Sequence, residues 1–295
     1  MSANLRAVRH SRLTSRLASS GQLFRANPRL LAGTIIVTSI ALLTIFAPLI
    51  ARFNPEQANP YDVLLAPTRT YWLGTDSSGM DILSRLIYAP RVDLTIAFGA
   101  TFLAIALGTP VGVLAGYYSS PVTELAMRIA DVLQSFPALV LGMGLVVLSG
   151  QQIRNVILAI GIVNAPIYAR MVRSQALQVR ERLFIEGARA AGASDIAIVF
   201  RHLLPNSSGP IFALSSVTMG VAILLTAGLS FVGAGVRVPT PEWGSMIAIG
   251  AESLYEGGKW WPSVLPGLML AITVMGFGLL GDSLAEVTDP KRRKF

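Results

Sequence analysis

Cysteine is absent from the 295 residues, and charged side chains are scarce. Without thiols there can be no disulfides, no cysteine-ligated zinc and no thiol nucleophile. The only histidines, His10 and His202, lie too far apart in sequence to form a local metal motif. Charged residues make up 14% of the chain, against about a quarter in ordinary soluble domains. With 53% hydrophobic residues and a mean hydropathy of +0.59, the chain cannot clothe a water-facing surface of its size. A soluble two-domain enzyme is disfavoured, and an integral membrane protein is favoured.

Catalytic motifs are lacking as well. Gly258-Lys259 is followed by Trp260, and Ser253 stands where the first glycine of a Walker A loop belongs. Neither HExxH nor GxSxG occurs. The stretch Gly74-Thr75-Asp76-Ser77-Ser78-Gly79-Met80-Asp81 places oxygen ligands at alternating positions, as a calcium loop does. Ile87 occupies the place of that loop's closing acid, so a turn with capping side chains is the expectation.

What the chain does have is long apolar runs. A membrane-crossing helix needs about 20 mostly apolar residues. Uncharged stretches of that order lie at Leu30–Ala51, between Asp93 and Glu124, between Asp131 and Arg154, between Arg201 and Arg237, and between Lys259 and Asp282. A shorter one, Asn155–Ala169, extends through Met171 and Val172. Six transmembrane helices are predicted, near 30–51, 94–117, 124–149, 153–172, 209–232 and 262–286. The first is longer than a secretory signal's apolar core and lacks a clear cleavage site, so it is expected to stay. Placing the N-terminus in the cytoplasm puts 16 Lys and Arg on inner segments and seven on outer ones, with both basic tails inside. Topology thus accounts for the net charge of +8 without nucleic acid. The tail carrying Arg9, Arg12 and Arg16 between Leu13 and Leu17 fits either a surface-lying amphipathic helix or a solvated tail.

Ionisable groups inside spans are the default functional candidates. Arg128, Asp131 and Asp282 qualify, each near a predicted inner end, and Arg128 and Asp131 have the i, i+3 spacing of a structural ion pair. No acidic residue is expected at the midplane, where an ion-coupled carrier would need one. Gly108, Gly112 and Gly116 repeat the GxxxG spacing of close helix contacts, expected here within the chain. Pro110, Pro137, Pro166 and Pro266 interrupt spans.

The inner loop 173–208 carries the densest pattern. Phe184, Ala188 and Ala191 share one face of a short helix, with Arg182, Glu186 and Arg189 near another. Gly192 suits a C-cap, Ser194 suits the N-cap of a second short helix, and Leu204-Pro205 suits its stop. Two short helices on the inner face suit the docking of a cytosolic partner.

This loop resembles the EAA signature of ABC-importer permeases: Glu-Ala-Ala, three residues, Gly, nine residues, Ile-x-Leu-Pro. Glu186, Ala188, Gly192, Leu204 and Pro205 fall in register, whereas Gly187 replaces Ala and His202 replaces Ile. Trp72-Leu73-Gly74-Thr75-Asp76 with Gly79 and Asp81, Asp131-Val132-Leu133-Gln134-Ser135-Phe136-Pro137, Pro239-Thr240-Pro241-Glu242-Trp243-Gly244, Leu280-Gly281-Asp282-Ser283 and Asp289-Pro290 are similar to the dipeptide/oligopeptide/nickel branch.

The resemblance spans roughly residues 28–293. It implies an all-α integral membrane protein of six transmembrane helices, with the type I importer permease fold and both termini cytoplasmic. Residues 1–91 would hold the tail, first helix and external segment, residues 92–290 the permease domain, and residues 291–295 a basic tail. It implies a non-catalytic permease subunit in the bacterial cytoplasmic membrane, importing di- or oligopeptides. Its implied partners are membrane lipid, a homologous permease, two cytosolic ATPases that bind the ATP and magnesium, and an external solute-binding protein. No cofactor of its own is implied. Phe184, Glu186, Gly187, Ala188, Gly192, Leu204 and Pro205 would couple the chain to an ATPase. Outside, residues 52–93 and 233–262 would receive the binding protein, with Trp72, Trp243, Trp260 and Trp261 expected as membrane-interface anchors. Nickel or another small solute is the alternative within the branch, and a self-contained secondary carrier is the alternative of another class.

Overall fold

The computed structural model describes residues 27–288, so the amphipathic-tail expectation and Asp289-Pro290 lie outside the described residues. The chain forms α1 (Pro28–Ile50), α2 (Ile82–Tyr117), α3 (Pro121–Ser135), α4 (Ala138–Ser149), α5 (Ile153–Arg180) and α6 (Leu183–Ala190). After these come α7 (Asp195–Ile198), α8 (Leu204–Ser207), α9 (Gly209–Phe231), α10 (Trp243–Gly257) and α11 (Trp261–Thr288). Helices α1, α2, α5, α9 and α11 are long and apolar enough to span a membrane.

The sixth predicted span, 124–149, is a broken one rather than a single helix. α3 and α4 meet at an angle of 97°. Phe136 is extended (φ −83°, ψ 142°) because the ring of Pro137 excludes it from the helical region. α3 starts where α2 ends, and α4 ends where α5 starts, so the bent pair makes one crossing. Pro110, Pro166 and Pro266, by contrast, lie within continuous helices.

Glycine spacing sets the central seam. A Cβ at Gly108 or Gly112 would collide with the carbonyl oxygen of Ala165 or Ala169, and one at Gly116 would lie 2.5 Å from the Cβ of Ala176. The GxxxG steps therefore bring α2 and α5 into backbone contact within the chain, parallel and in ascending register. α11 runs antiparallel to both α1 and α9: Gly276 abuts Ile36 and Val37, and Gly281 abuts Val217. Hence α1 starts, and α11 ends, on the face that carries α6.

α2 begins twelve residues before the predicted span and runs unbroken through position 91. Its 36 residues measure about 54 Å, against a hydrocarbon core of about 30 Å. Arg85, Arg91 and Asp93 occupy the surplus, so charge did not have to end the helix there. This extension is covered by the segment 51–81 and by α10, a helix absent from the expectations for 233–262.

The two coverings are locked together by buried polar groups. Arg85, 0% exposed, donates to the carbonyls of Pro55 (2.8 Å) and Pro239 (3.0 Å), and its Nε lies 3.5 Å from Asp76 Oδ2. Asp76 Oδ1 accepts from the backbone of Ser78 and Met80, while Asp81 Oδ2 accepts from Ser84 N at 2.8 Å. The alternating oxygens are thus a capped turn. Glu242 caps α10 through Gly244 N and Ser245 N, and buried Asp93 accepts from Trp243 N at 3.3 Å. Trp243 is itself fully buried, which corrects its assignment as an interface anchor. Trp261 is half-buried, its indole N–H facing the carbonyl of Thr75 at 3.4 Å. Trp72 and Trp260 are exposed.

Candidate functional site

The face opposite that covering carries a helical platform, residues 181–208. Its underside is apolar: Ile185, Ile198, Val199 and Leu203 are buried against Tyr117, Val172, Ala176 and Val179 at the ends of α2 and α5. Burying each of the large aliphatic side chains contributes about 1.5–3 kcal/mol, which holds the platform to the spans. Its outer side is apolar too. Leu183 is 82% exposed, Ile196 69%, Phe200 64% and Phe184 44%. Exposed apolar side chains grouped on a small element are candidates for contact with a partner.

Backbone chemistry fixes the shape of the platform. α6 closes with Ala193 N donating to Ala188 O and Gly192 N donating to Arg189 O, both at 3.0 Å. Gly192, at φ +85°, occupies the left-handed C′ position that this motif demands. Ser194 caps the next helix, its Oγ accepting from Ala197 N at 3.4 Å. That helix does not stop at Leu204-Pro205. It widens into a π turn, Val199–Leu203, in which Leu204 N bonds to Val199 O, and continues to Ser207. The wider turn lets the Pro205 ring pass where an α-helix would press it against the carbonyl of residue 201.

The seven sequence-predicted residues fall on this platform, although not all on its outer side. Phe184, Glu186, Gly187, Gly192 and Pro205 are exposed, whereas Ala188 and Leu204 are half-buried. The residue that α6 buries most deeply is Ile185, 1% exposed. Phe184 instead turns outward beside His202, their rings 6.5 Å apart.

Sequence reading missed the tether beneath. Tyr117, the last residue of α2, donates its hydroxyl proton to Asp195 Oδ1 at 2.5 Å and accepts from Arg189 Nη2 at 3.3 Å. Arg180, ending α5, donates to the carbonyl of Tyr117 (3.2 Å) and lies 3.3 Å from Ser119 Oγ. Tyr117 thus joins the end of α2 to Arg189 on α6 and to Asp195 on α7. No pattern in the sequence marks these residues, because each partner lies more than 60 positions away.

The expected Arg128–Asp131 pair does not form. Asp131 pairs with Arg170 of α5 at 2.7 Å, and Glu124 pairs with Arg173. These two ion pairs join α3 to α5, whose arginines were not in reach of a reading confined to one helix. Arg128 is left exposed. Asp282 is exposed on α11.

A bundle of membrane-length helices with a docking platform at one end and a polar covering at the other defines a multi-pass membrane protein built to work with partners. Residues 108–294 match the family of binding-protein-dependent transport system inner membrane components, and residues 15–67 match the N-terminal transmembrane domain of oligopeptide transport permease C. The chain is 38% identical to the dipeptide transport system permease protein of Alkalihalophilus pseudofirmus, over 91% of this chain and 88% of that one. It is 36% identical to the glutathione transport system permease protein of Pectobacterium atrosepticum, over 88% and 86% respectively. The inward-facing MetNI methionine ABC transporter structure shares the fold, with TM-score 0.56 and 23% identity over 70% of this chain and 96% of that one. The chain belongs to the family of binding-protein-dependent transport system inner membrane components, and it is a multi-pass protein of the bacterial inner membrane.

Proposed function

We propose that this chain is the permease subunit of an ATP-driven importer of di- and oligopeptides, and that α6 is its coupling helix. The observation that carries this reading is the two-sided platform: a buried underside joined to α2 and α5, and an apolar outer side with no partner among the described residues. A groove on a cytosolic ATPase would receive Leu183 and Phe184, with Glu186 facing a basic group at its rim. Closure of two ATPases would then push α6, and the Tyr117–Asp195 and Arg180 contacts would carry that push into the spans. The permease hydrolyses nothing itself and needs no cofactor. A homologous permease completes the pathway, and an external solute-binding protein delivers peptide to the covering formed by residues 51–81 and α10. The substrate class follows the permeases of dipeptide and glutathione transport that this chain is similar to.

The test is reconstitution. The two permeases, their ATPases and the binding protein in liposomes should accumulate a labelled dipeptide with ATP, and omission of the ATPases should abolish uptake. Peptide accumulation by this chain alone against a gradient would overturn the importer-subunit reading.

A further inference from the structure

The end of the molecule opposite α6 contains a cleft of about 500 Å³ between α10, the chain at 230–238 and the start of α5. Ser245, Ala248, Ile249 and Glu252 line it from α10, with the i, i+3, i+4, i+7 spacing of a single helix face. Gly233 and Gly235 to Val238, including Arg237, also line it. Gln151 closes one side, its amide held by the carbonyl of Gly233 at 2.6 Å. Among the described residues, neither the Arg237 guanidinium nor the Glu252 carboxylate has a hydrogen-bond or ion-pair partner, and both are exposed. Ser230, also lining the cleft and only 7% exposed, has an Oγ with no hydrogen-bond partner.

We infer that this cleft is a subsite for a short zwitterionic peptide at the outer mouth of the permease. The inference rests on the proposed importer function and specifies where its substrate first meets this chain. Three features fit one ligand chemistry. A cation from the 233–238 segment and an anion from α10 in one lining match the carboxylate and ammonium of a peptide with free ends. The apolar part of the lining, Ala248, Ile249 and Val236, tolerates small side chains without selecting among them. The unpartnered hydroxyl of Ser230 supplies a polar group for the peptide backbone. Arg237 would engage the C-terminus and Glu252 the N-terminus. Because both charges are exposed, the site is weak, as transfer from a binding protein to a pathway requires.

The experiment uses the complete transporter in nanodiscs, without the binding protein, so that only the permease filters the ligand. A photoreactive dipeptide, photo-leucyl-alanine, is applied in three forms: free ends, C-terminal amide and N-acetyl. Mass spectrometry maps labelled residues. Labelling of 230–252 by the free form is expected to fall at least fivefold in Arg237→Gln, and the amide should label wild type and Arg237→Gln equally. Glu252→Gln should show the same loss with the free form and none with the N-acetyl form. Dialanine should compete, whereas added phosphatidylethanolamine, which also carries an ammonium and an anion, should not. Equal labelling of wild type and both variants by the free form would overturn the subsite, as would competition by the lipid alone. Absence of cleft labelling while ATP-driven uptake proceeds would overturn it too. Charge-dependent labelling without any ATP-driven uptake by the full system would instead leave the subsite standing and defeat the importer reading.

Discussion

Gly187 and Gly192 lie five positions apart, yet they should respond to an added side chain in opposite ways. Gly187 sits inside α6 with open space where a Cβ would go. Gly187→Ala should therefore stabilise α6 by about 0.5–1 kcal/mol and leave uptake near wild type. Gly192 is equally uncrowded, but its φ of +85° strains any residue with a Cβ by about 1–2 kcal/mol, and a β-branched one by more. Gly192→Val should re-aim α6 and reduce ATP-driven uptake severely while the subunit still inserts and pairs with the sister permease. Uptake, expression and ATPase co-purification measured together check this; normal uptake at normal expression would show that α6 is not the coupling element. Glu186→Lys should leave folding unchanged, because Glu186 is exposed and makes no hydrogen bond or close ion pair among the described residues, and should weaken ATPase co-purification. The glycine at 192 could be anticipated from its place after an amphipathic run. The tether of Tyr117 to Asp195 and Arg189 could not, since a hydrogen bond across 78 positions leaves no local periodicity.

Among the elements, α2 holds the most unlike tasks: a close-packed seam towards one end and a buried polar lock at the other. On the seam, Gly112→Leu would force backbone carbonyls of α5 apart, so loss of stable protein is expected, measured as the yield of folded material in detergent. At its inner end, Tyr117→Phe deletes two hydrogen bonds and no packing. It should cost about 1–2 kcal/mol of stability and lower uptake more than ATPase co-purification, a separation that distinguishes a lost tether from a lost docking surface. At its outer end, Arg85→Leu leaves Asp76 buried beside no cation, which should cost about 3–5 kcal/mol. The segment 51–81 should then become sensitive to protease, which limited proteolysis reports. Periodicity located α2 but not its length. Arg85, Arg91 and Asp93 look like a span boundary, and the segment and helix folded over Arg85 and Asp93 make their burial inside a helix tolerable, while Arg91 stays exposed beside the Thr44 carbonyl. The bent α3–α4 pair is a similar case: Pro137 is visible in the sequence, but the 97° turn depends on what the two halves pack against.

At the scale of the whole molecule, the absence of cysteine makes topology directly testable. Gln57→Cys and Tyr255→Cys lie at exposed positions of the outer covering, and Ile196→Cys lies on the platform. The first two should react with a membrane-impermeant maleimide in intact cells, and the third only after permeabilisation. External labelling at residue 196 would invert the molecule and remove the coupling-helix assignment with it. The sequence by itself determined which runs are apolar enough to cross a membrane and where the platform lies, because each depends on the nature of contiguous residues: apolar length, and glycine or proline at a helix end. Only the tertiary structure decided which surfaces meet. It paired Asp131 with Arg170 rather than Arg128, buried Trp243 beneath the covering, and brought Arg237 and Glu252 into the lining of one cleft. Those outcomes depend on distances between residues that are remote in the chain, and such distances are set by how whole helices pack.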